Sequence, residues 1–519
     1  MGNNYRERLK AANEVLSEAV KTAYKDEYLL SNQVLSKIPF NNDYFEYFLA
    51  GEEPDGASPL LIAKKAALYY AKSAVHYVLY LLKIALHLIS GQRAETFKVD
   101  EDVVLIDVVF LVDRIRESGG FIEKYFFPGL GEFCERNGVR CAYLPFFYSS
   151  SCQRKPFELF KVFRILKKQR WQVLTEFQLL TFSDVLLVGW FMLAYPFHVL
   201  RYRKTLRADI YGNRLLRYAL VNGLDSVSFY SYIRNRIGRR IASLMFRHLK
   251  VISWYENQPS NKNLIKGLRS GSGRITVYGA QLFPRSVDYR FIMPDENEKP
   301  FGIIPDIMVV GGERFMGSGG AVPLRLGPSL RSRRLFNERP GVMRGGDVVV
   351  FLHLFEKDTA RMLRILGDPL LSHHKFILKP HPGLPLSRLR RLIPANARIV
   401  EEDIYSLLSS ARAVIGAGSG SMVEAVASGV PVICIKGGRQ FDYNRGFFDK
   451  GEGIIWAEAA SAAELLTQLE RIGKSAESGE TMQELAREYA DHYFCRPTED
   501  LIRSAFDFDH PKRKGRYDG

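Results

Sequence analysis

Near its C-terminal end the chain reads KFILKPHPG at 375–383, and about thirty residues on, AVIGAGSGSMVEAVASGVPVICI at 413–435. Each is a short apolar run of strand character that breaks into a loop, and the second loop opens directly into a helical pattern. Apolar strands that alternate with helices point to an α/β fold built on parallel sheets. The same grammar recurs upstream. VVLIDVVFLVD at 103–113 reads as a buried strand, a helix containing Leu130 and Phe133 follows, and VRCAYLPFF at 139–147 is the next strand, with Gly138 closing the helix. Further strands are expected at 251–257, 274–281 and 303–312, and a second series at 347–354, 375–380, 398–400, 413–418 and 431–435. A helix pair at 462–471 and 481–493 is expected to close the second series.

With 519 residues and 59.2 kDa the chain has room for two or three domains. The expected division is a helical extension over 1–95, a first Rossmann-like domain over 96–338, a second over 339–500, and a basic disordered tail over 501–519. Pro340 and nearby glycines mark 337–346 as a linker. Residues 61–90 and 185–200 are strongly apolar. The first carries Lys72, His76 and Lys83 at helical spacing, and the second contains Pro196 and runs into Arg201, Arg203 and Lys204. Both read as buried or interfacial helices rather than membrane spans.

The net charge is +16, which favours anionic partners. No zinc-finger or RNP signature is present, so nucleic acid is not expected among them. The five cysteines show no CxxC spacing and are expected to be reduced, as in a cytoplasmic protein. The charged N-terminus lacks the apolar core of a signal peptide, and Arg6 stands where a myristoylation signal needs Ser or Thr.

Ligands of open α/β sheets bind at the carboxyl ends of strands. His381 falls there, fixed by Pro380 and Pro382, and its imidazole suits a phosphate oxygen or a leaving phosphate. Lys379 adds charge, although its alternating position can turn it away. In the second loop Gly418, Ser419, Gly420 and Ser421 let backbone N–H groups approach an anion, with Ser421 expected to cap the helix. Glu424, three residues on, fits either the carboxylate of a capping box or an acceptor for a ribose diol. The loop lacks the P-loop lysine, no HExxH or clustered Cys/His occurs, and the run 295–298 (DENE) reads as a solvated loop. Metal-independent chemistry with no bound cofactor is the expectation.

The arrangement resembles the GT-B glycosyltransferases of bacterial surface-carbohydrate synthesis, in particular the HP-motif type of the bacterial sialyl-, polysialyl- and capsule Kdo transferases and the related polyol-phosphate polymerases. His381-Pro382 matches the HP motif, Ser419 and Ser421 fall at the second motif, and EAVASGVPVI at 424–433 matches the helix-to-strand segment of GT-B donor domains. The likeness is good over about 345–450, diffuse over 100–335, and absent over 1–95. It implies two Rossmann-like domains facing across a cleft, the second holding a nucleotide-sugar, including CMP-linked acidic sugars, and the first binding a glycan or lipid-linked acceptor. It also implies a cytoplasmic enzyme, peripheral at the anionic inner face of the membrane. The acidic-acidic-Gly motif of the sialyltransferases is not evident, so the general base is open. Glu256, at the end of a strand, is the first candidate, with Asp107 and Asp113 next. Gln281, Arg331, Asp442 and Asn444 are the remaining candidates for the cleft and the donor. A polyol-phosphate transferase, a sugar-nucleotide epimerase, or a non-catalytic scaffold of the same fold are the alternatives.

Overall fold

The computed structural model describes residues 2–508 apart from 40–41, 55, 92–100, 122–124, 149–155, 245, 272–273, 319, 338–345, 385, 439 and 475–478. Two sheets organise the chain. The first contains β1 (Asp102–Leu111), β2 (Arg140–Tyr148), β3 (Gln172–Val173), β4 (His248–Trp254), β5 (Ile275–Gln281), β6 (Ile307–Val310) and β7 (Leu324–Leu326). The second contains β8 (Asp347–Phe351), β9 (Phe376–Lys379), β10 (Ala397–Ile399), β11 (Ala411–Gly416), β12 (Val432–Ile435) and β13 (Trp456–Ala459). Every pairing is parallel. The orders are β3-β2-β1-β4-β5-β6-β7 and β10-β9-β8-β11-β12-β13. Counted within its own sheet, the second runs 3-2-1-4-5-6 and the first the same with a seventh strand added at the end, the doubly wound order, with the switch point beside the first strand. Central strands explain themselves: Val103 to Ile106 are buried on consecutive residues, so both faces of β1 are covered by helices.

Three helices precede β1: α1 (Gly2–Ala23), α2 (Asp43–Ala50) and α3 (Pro59–Ser90). α4 (Val112–Ser118), α5 (Leu130–Arg136) and α6 (Pro156–Leu166) cover the first crossovers. Between β3 and β4 the chain inserts α7 (Glu176–Leu179), α8 (Phe182–Thr205), α9 (Tyr211–Asn222) and α10 (Ser228–Ala242), and α11 (Pro259–Leu268) follows β4. The second sheet carries α12 (Glu356–Leu366), α13 (Ile404–Leu408), α14 (Gly420–Ala427), α15 (Ala462–Lys474) and α16 (Gly479–Tyr493), and α17 (Glu499–Ala505) comes last.

The carboxyl edges of the two sheets face each other. Tyr148, ending β2, lies against Gly383 past β9, and Pro284, past β5, lies against Gly420 past β11. Tyr289 donates its hydroxyl to the Tyr443 carbonyl at 2.8 Å, and Val287 N–H donates to the Gly446 carbonyl at 3.2 Å. The architecture is therefore GT-B, two doubly wound domains across a cleft.

Several expectations change. The segment after α16 is ordered as far as Phe508 and crosses back to the first domain. Ser329 and Cys495 exchange hydrogen bonds, the Arg503 guanidinium reaches Asn137, and Phe508 packs on Phe133. Hydrophobic Phe506 and Phe508 make that return favourable, so 501–508 is no tail; 509–519 lie outside the described residues, as does most of the expected linker. The 295–298 run is not a solvated loop. Glu298 is fully buried, paired with Lys262 at 2.8 Å and facing Lys37, while Asp295 pairs with Lys37. The N-terminal helices also straddle both domains. From α1, Arg6 meets Asp288 of the first domain, and the Tyr5 hydroxyl accepts from Asp442 N–H of the second at 3.1 Å. From α2, the Glu46 carboxylate accepts from Gln440 N–H at 2.9 Å and Phe45 packs on Phe441.

Candidate active site

The site forms where β8, β9 and β11 end. β9 and β11 are not adjacent; β8 lies between them, so the histidine turn and the serine loop flank its end from either side. β8 itself supplies a residue that sequence reasoning missed, His353, which is buried and follows the strand by two positions. Its Nδ1 accepts from Phe355 N–H at 3.1 Å and its ring stands 5.3 Å from that of Tyr443. The signal was available: a histidine in the run FLHL at the end of the strand that borders the switch point.

His381 is half-buried, and its Nδ1 accepts from Gly383 N–H at 3.0 Å. An accepting Nδ1 in a neutral ring leaves the proton on Nε2, which is then a donor. Burial, then His353, then Arg331 hold the ring's pKa down to about 4, so the donor is neutral at pH 7. This gives a stability signature. The folded value lies below the ordinary 6.5, so the His381 contribution is complete above pH 6.5 and is lost as pH falls through about 4. Urea unfolding at pH 7 and pH 4.5 is expected to show a loss of about 2 kcal/mol in the native chain that His381→Gln does not share.

Gly418 takes a left-handed φ of +52°, and its N–H donates to Asn444 Oδ1 at 2.7 Å. A Cβ there would come within 2.4 Å of Tyr443 Cβ, so only glycine turns the chain here. The turn hands the N-cap of α14 to Ser419, whose Oγ accepts from Ser421 N–H at 3.3 Å. Ser421 is thus the second residue of the helix and is not its cap. Glu424 accordingly misses the capping-box position and forms no box. It is buried, and its Oε1 accepts from the Ser332 hydroxyl of the first domain at 2.9 Å, while Oε2 meets no hydrogen-bond geometry among the described residues. Burial raises its pKa, against the opposing pull of Arg331 and Ser332. Tyr405, also unanticipated, has a buried hydroxyl that faces the same carboxyl.

Arg331 joins the halves. It leads into the turn that carries Ser332, and its guanidinium acts electrostatically on both His381 and Glu424. It makes no hydrogen bond or ion pair of its own among the described residues. The histidine turn and the start of α14 each meet the first domain, Gly383 against Tyr148 and Gly420 against Pro284. Positive charge, a neutral N–H donor and a helix N-terminus are each groups suited to an anion such as a phosphate.

Other expected residues sit elsewhere. Asp107 is buried inside β1, ion-paired with Arg234 of α10 and accepting from Ser253 Oγ at 2.7 Å, which leaves no room for a general base. Gln281 is buried and turned inward, donating to the Ile292 carbonyl at 2.7 Å. Lys379 donates to the Glu401 carbonyl at 2.8 Å, away from the turn. The Asp442 carboxylate closes its own turn by accepting from Asn444 N–H at 3.0 Å, while Asn444 braces Gly418. Asp113 opens α4, past the end of β1. Glu256 does stand at the carboxyl end of β4, half-buried, accepting from the Trp254 indole at 2.9 Å and the Gln258 amide at 2.8 Å. Trp254 stacks on Phe283, next to the Pro284 that meets Gly420, so Glu256 is on the cleft side of the first sheet.

No family model and no curated protein matches the sequence. Solved structures similar to it include the glycosyltransferase SnogD from Streptomyces nogalater, at 14% identity and TM-score 0.38, covering 78% of this chain and 98% of that one. UDP-GlcNAc 2-epimerase from Neisseria meningitidis is similar at 9% identity and TM-score 0.42, covering 79% and 100%. The wall teichoic acid polymerase TagF is similar at 10% identity and TM-score 0.39, covering 86% and 99%. Likeness at this distance extends no activity to the chain.

Proposed function

We propose that the protein is a glycosyltransferase that takes a sugar from a nucleotide donor, of the CMP-linked acidic type suggested by the His381-Pro382 pair, and passes it to a cell-surface glycan or its lipid-linked precursor. The observation that carries this reading is the pair of turns at the carboxyl ends of β9 and β11, on either side of β8: His381, its ring fixed by Gly383 N–H, and the Ser419-capped start of α14. In the proposed reaction the acceptor hydroxyl attacks the anomeric carbon, the bond to the nucleotide phosphate breaks, and the phosphate leaves with the bonding electron pair. The Arg331 charge, the His381 Nε2–H and the first turn of α14 stabilise the charge that collects on the leaving phosphate. Glu256, oriented by its two donors, is the candidate to accept the hydroxyl proton from the opposite side of the cleft.

A melting-temperature panel against CMP, CDP and UDP tests the nucleotide step. One of the three is expected to raise the melting temperature of the native chain by several degrees, as ligand at about a hundredfold excess over Kd stabilises by about 2.7 kcal/mol. Arg331→Gln is expected to remove most of the shift. No shift with any nucleotide would defeat the reading.

A further inference from the structure

The helix α3 is inside out. Its buried positions are Tyr69, Ser73, Tyr80, Lys83, Leu86, His87 and Ser90, nearly all polar. Its outward positions are apolar, with Leu68 46% exposed, Val75 58%, Val78 64%, Leu88 71% and Ile89 73%. Between Ala67 and Ile89 the sole charged residue in an exposed position is Lys72. A helix at a water-facing surface has the reverse pattern. Each exposed Leu or Val here forgoes roughly 1–2 kcal/mol of burial.

Beside it, α8 is similar on its outward face. Phe182, Leu186, Trp190, Leu193 and Phe197 are exposed at spacings of three and four, and the same face continues into Arg201 and Lys204. The two helices run antiparallel in contact. The Tyr70 hydroxyl donates to the Leu193 carbonyl at 3.0 Å, and Tyr77 donates to Val185 at 2.9 Å over Gly189. Both helices are long and apolar enough to cross a membrane, yet 28% and 44% of their apolar windows are buried against the protein, so they lie on the domain surface. The outcome is one apolar platform two helices wide, of the contiguous kind that marks an interaction surface.

The charges around the platform decide what covers it. Antiparallel pairing sets Lys64 and Lys65 of α3 at the same end as Arg201 and Lys204 of α8. At the other end Lys167 lies against Gly91. α3 contains no acidic residue, and the single acid of α8, Asp184, is fully buried between Arg236 and Arg240. A second copy of the chain would bring basic ends together in either orientation. An anionic lipid surface would not.

We infer that the α3–α8 platform is a membrane-docking surface that inserts its apolar side chains, Trp190 among them, at the headgroup boundary of an anionic bilayer, with Lys64, Lys65, Arg201 and Lys204 on the lipid phosphates. The inference does not depend on the chemistry in the cleft.

The test is co-sedimentation of the full chain with vesicles of phosphatidylcholine, with and without 30% phosphatidylglycerol. Binding is expected to need phosphatidylglycerol and to weaken in high salt. Leu186→Glu/Leu193→Glu is expected to lower it at least a hundredfold, and Lys64→Gln/Lys65→Gln about tenfold or more. Emission of the native chain is expected to shift to the blue on vesicles, and Trp190→Phe to lose that shift. Melting temperatures of the variants verify folding; if the glutamate pair does not fold, the lysine pair and Trp190→Phe decide. Absence of binding by the native chain, or equal binding by folded variants, would overturn the inference. So would a native dimer that ignores vesicles and falls apart in the glutamate variant, which would make the platform a self-association surface.

Discussion

Replacing His381 with alanine is expected to lower turnover by about two to three orders of magnitude while the chain stays folded, the size seen when one preorganised donor to a developing oxyanion is removed. The expectation follows from geometry. Gly383 N–H fixes the ring through Nδ1, and Pro382 fixes the turn, so Nε2–H is held in place before substrate arrives. With a pKa down at about 4 the free ring is neutral, and an anion placed beside it would raise that value again. His381→Gln keeps an N–H donor but no titratable ring. If the imidazole acts as a donor, the glutamine variant recovers part of the rate; if it delivers a proton, the glutamine variant is as slow as alanine. Release of nucleotide from CMP-, CDP- and UDP-linked donors is the measurement, and unchanged turnover in His381→Ala would remove the residue from the mechanism.

The largest effect on stability is expected at Glu298. Its carboxylate has no exposure and sits between the buried ammonium groups of Lys262 and Lys37. Burial works to raise its pKa, but Lys262 and Lys37 hold it below the ordinary carboxylate range. Glu298→Gln would leave an excess of buried positive charge, at a cost of about 3–5 kcal/mol. Chemical denaturation of the native chain and the variant measures this directly. Glu298→Gln/Lys262→Met also removes the lysine left without a carboxylate, since Lys37 keeps Asp295, and is expected to recover part of the loss. Because the folded pKa is lowered, the contribution is present above the ordinary carboxylate range and disappears in acid.

Much of the fold was legible because β1, β4, β5, β8, β9, β11 and β12 are apolar runs that need cover on both faces. β3, β7 and β13 escaped notice for the opposite reason: at two to four residues on or near a sheet edge, they carry too little pattern. Within the site, His381 and the serine loop were readable as strand-end chemistry. Several of the misreadings involve partners distant in the chain. Asp107, a candidate base on the first strand, is taken up once Arg234, on α10, is brought to it. Glu424 mimics a capping box with Ser421, but Asn444 and the Gly418 turn move the cap to Ser419. Phe506 and Phe508 sit next to a basic tail in sequence, and only a distant aromatic cluster on the first domain makes them ordered.

The N-terminal strap of α1 and α2 has a consequence for the opening of the cleft. Widening the gap on that flank would have to break the Tyr5–Asp442 and Glu46–Gln440 hydrogen bonds and part Phe45 from Phe441 at the same moment. Contacts that must part together resist opening more than the same contacts parting one by one, so the strap ties the two domains on the flank where residues 5, 45 and 46 lie.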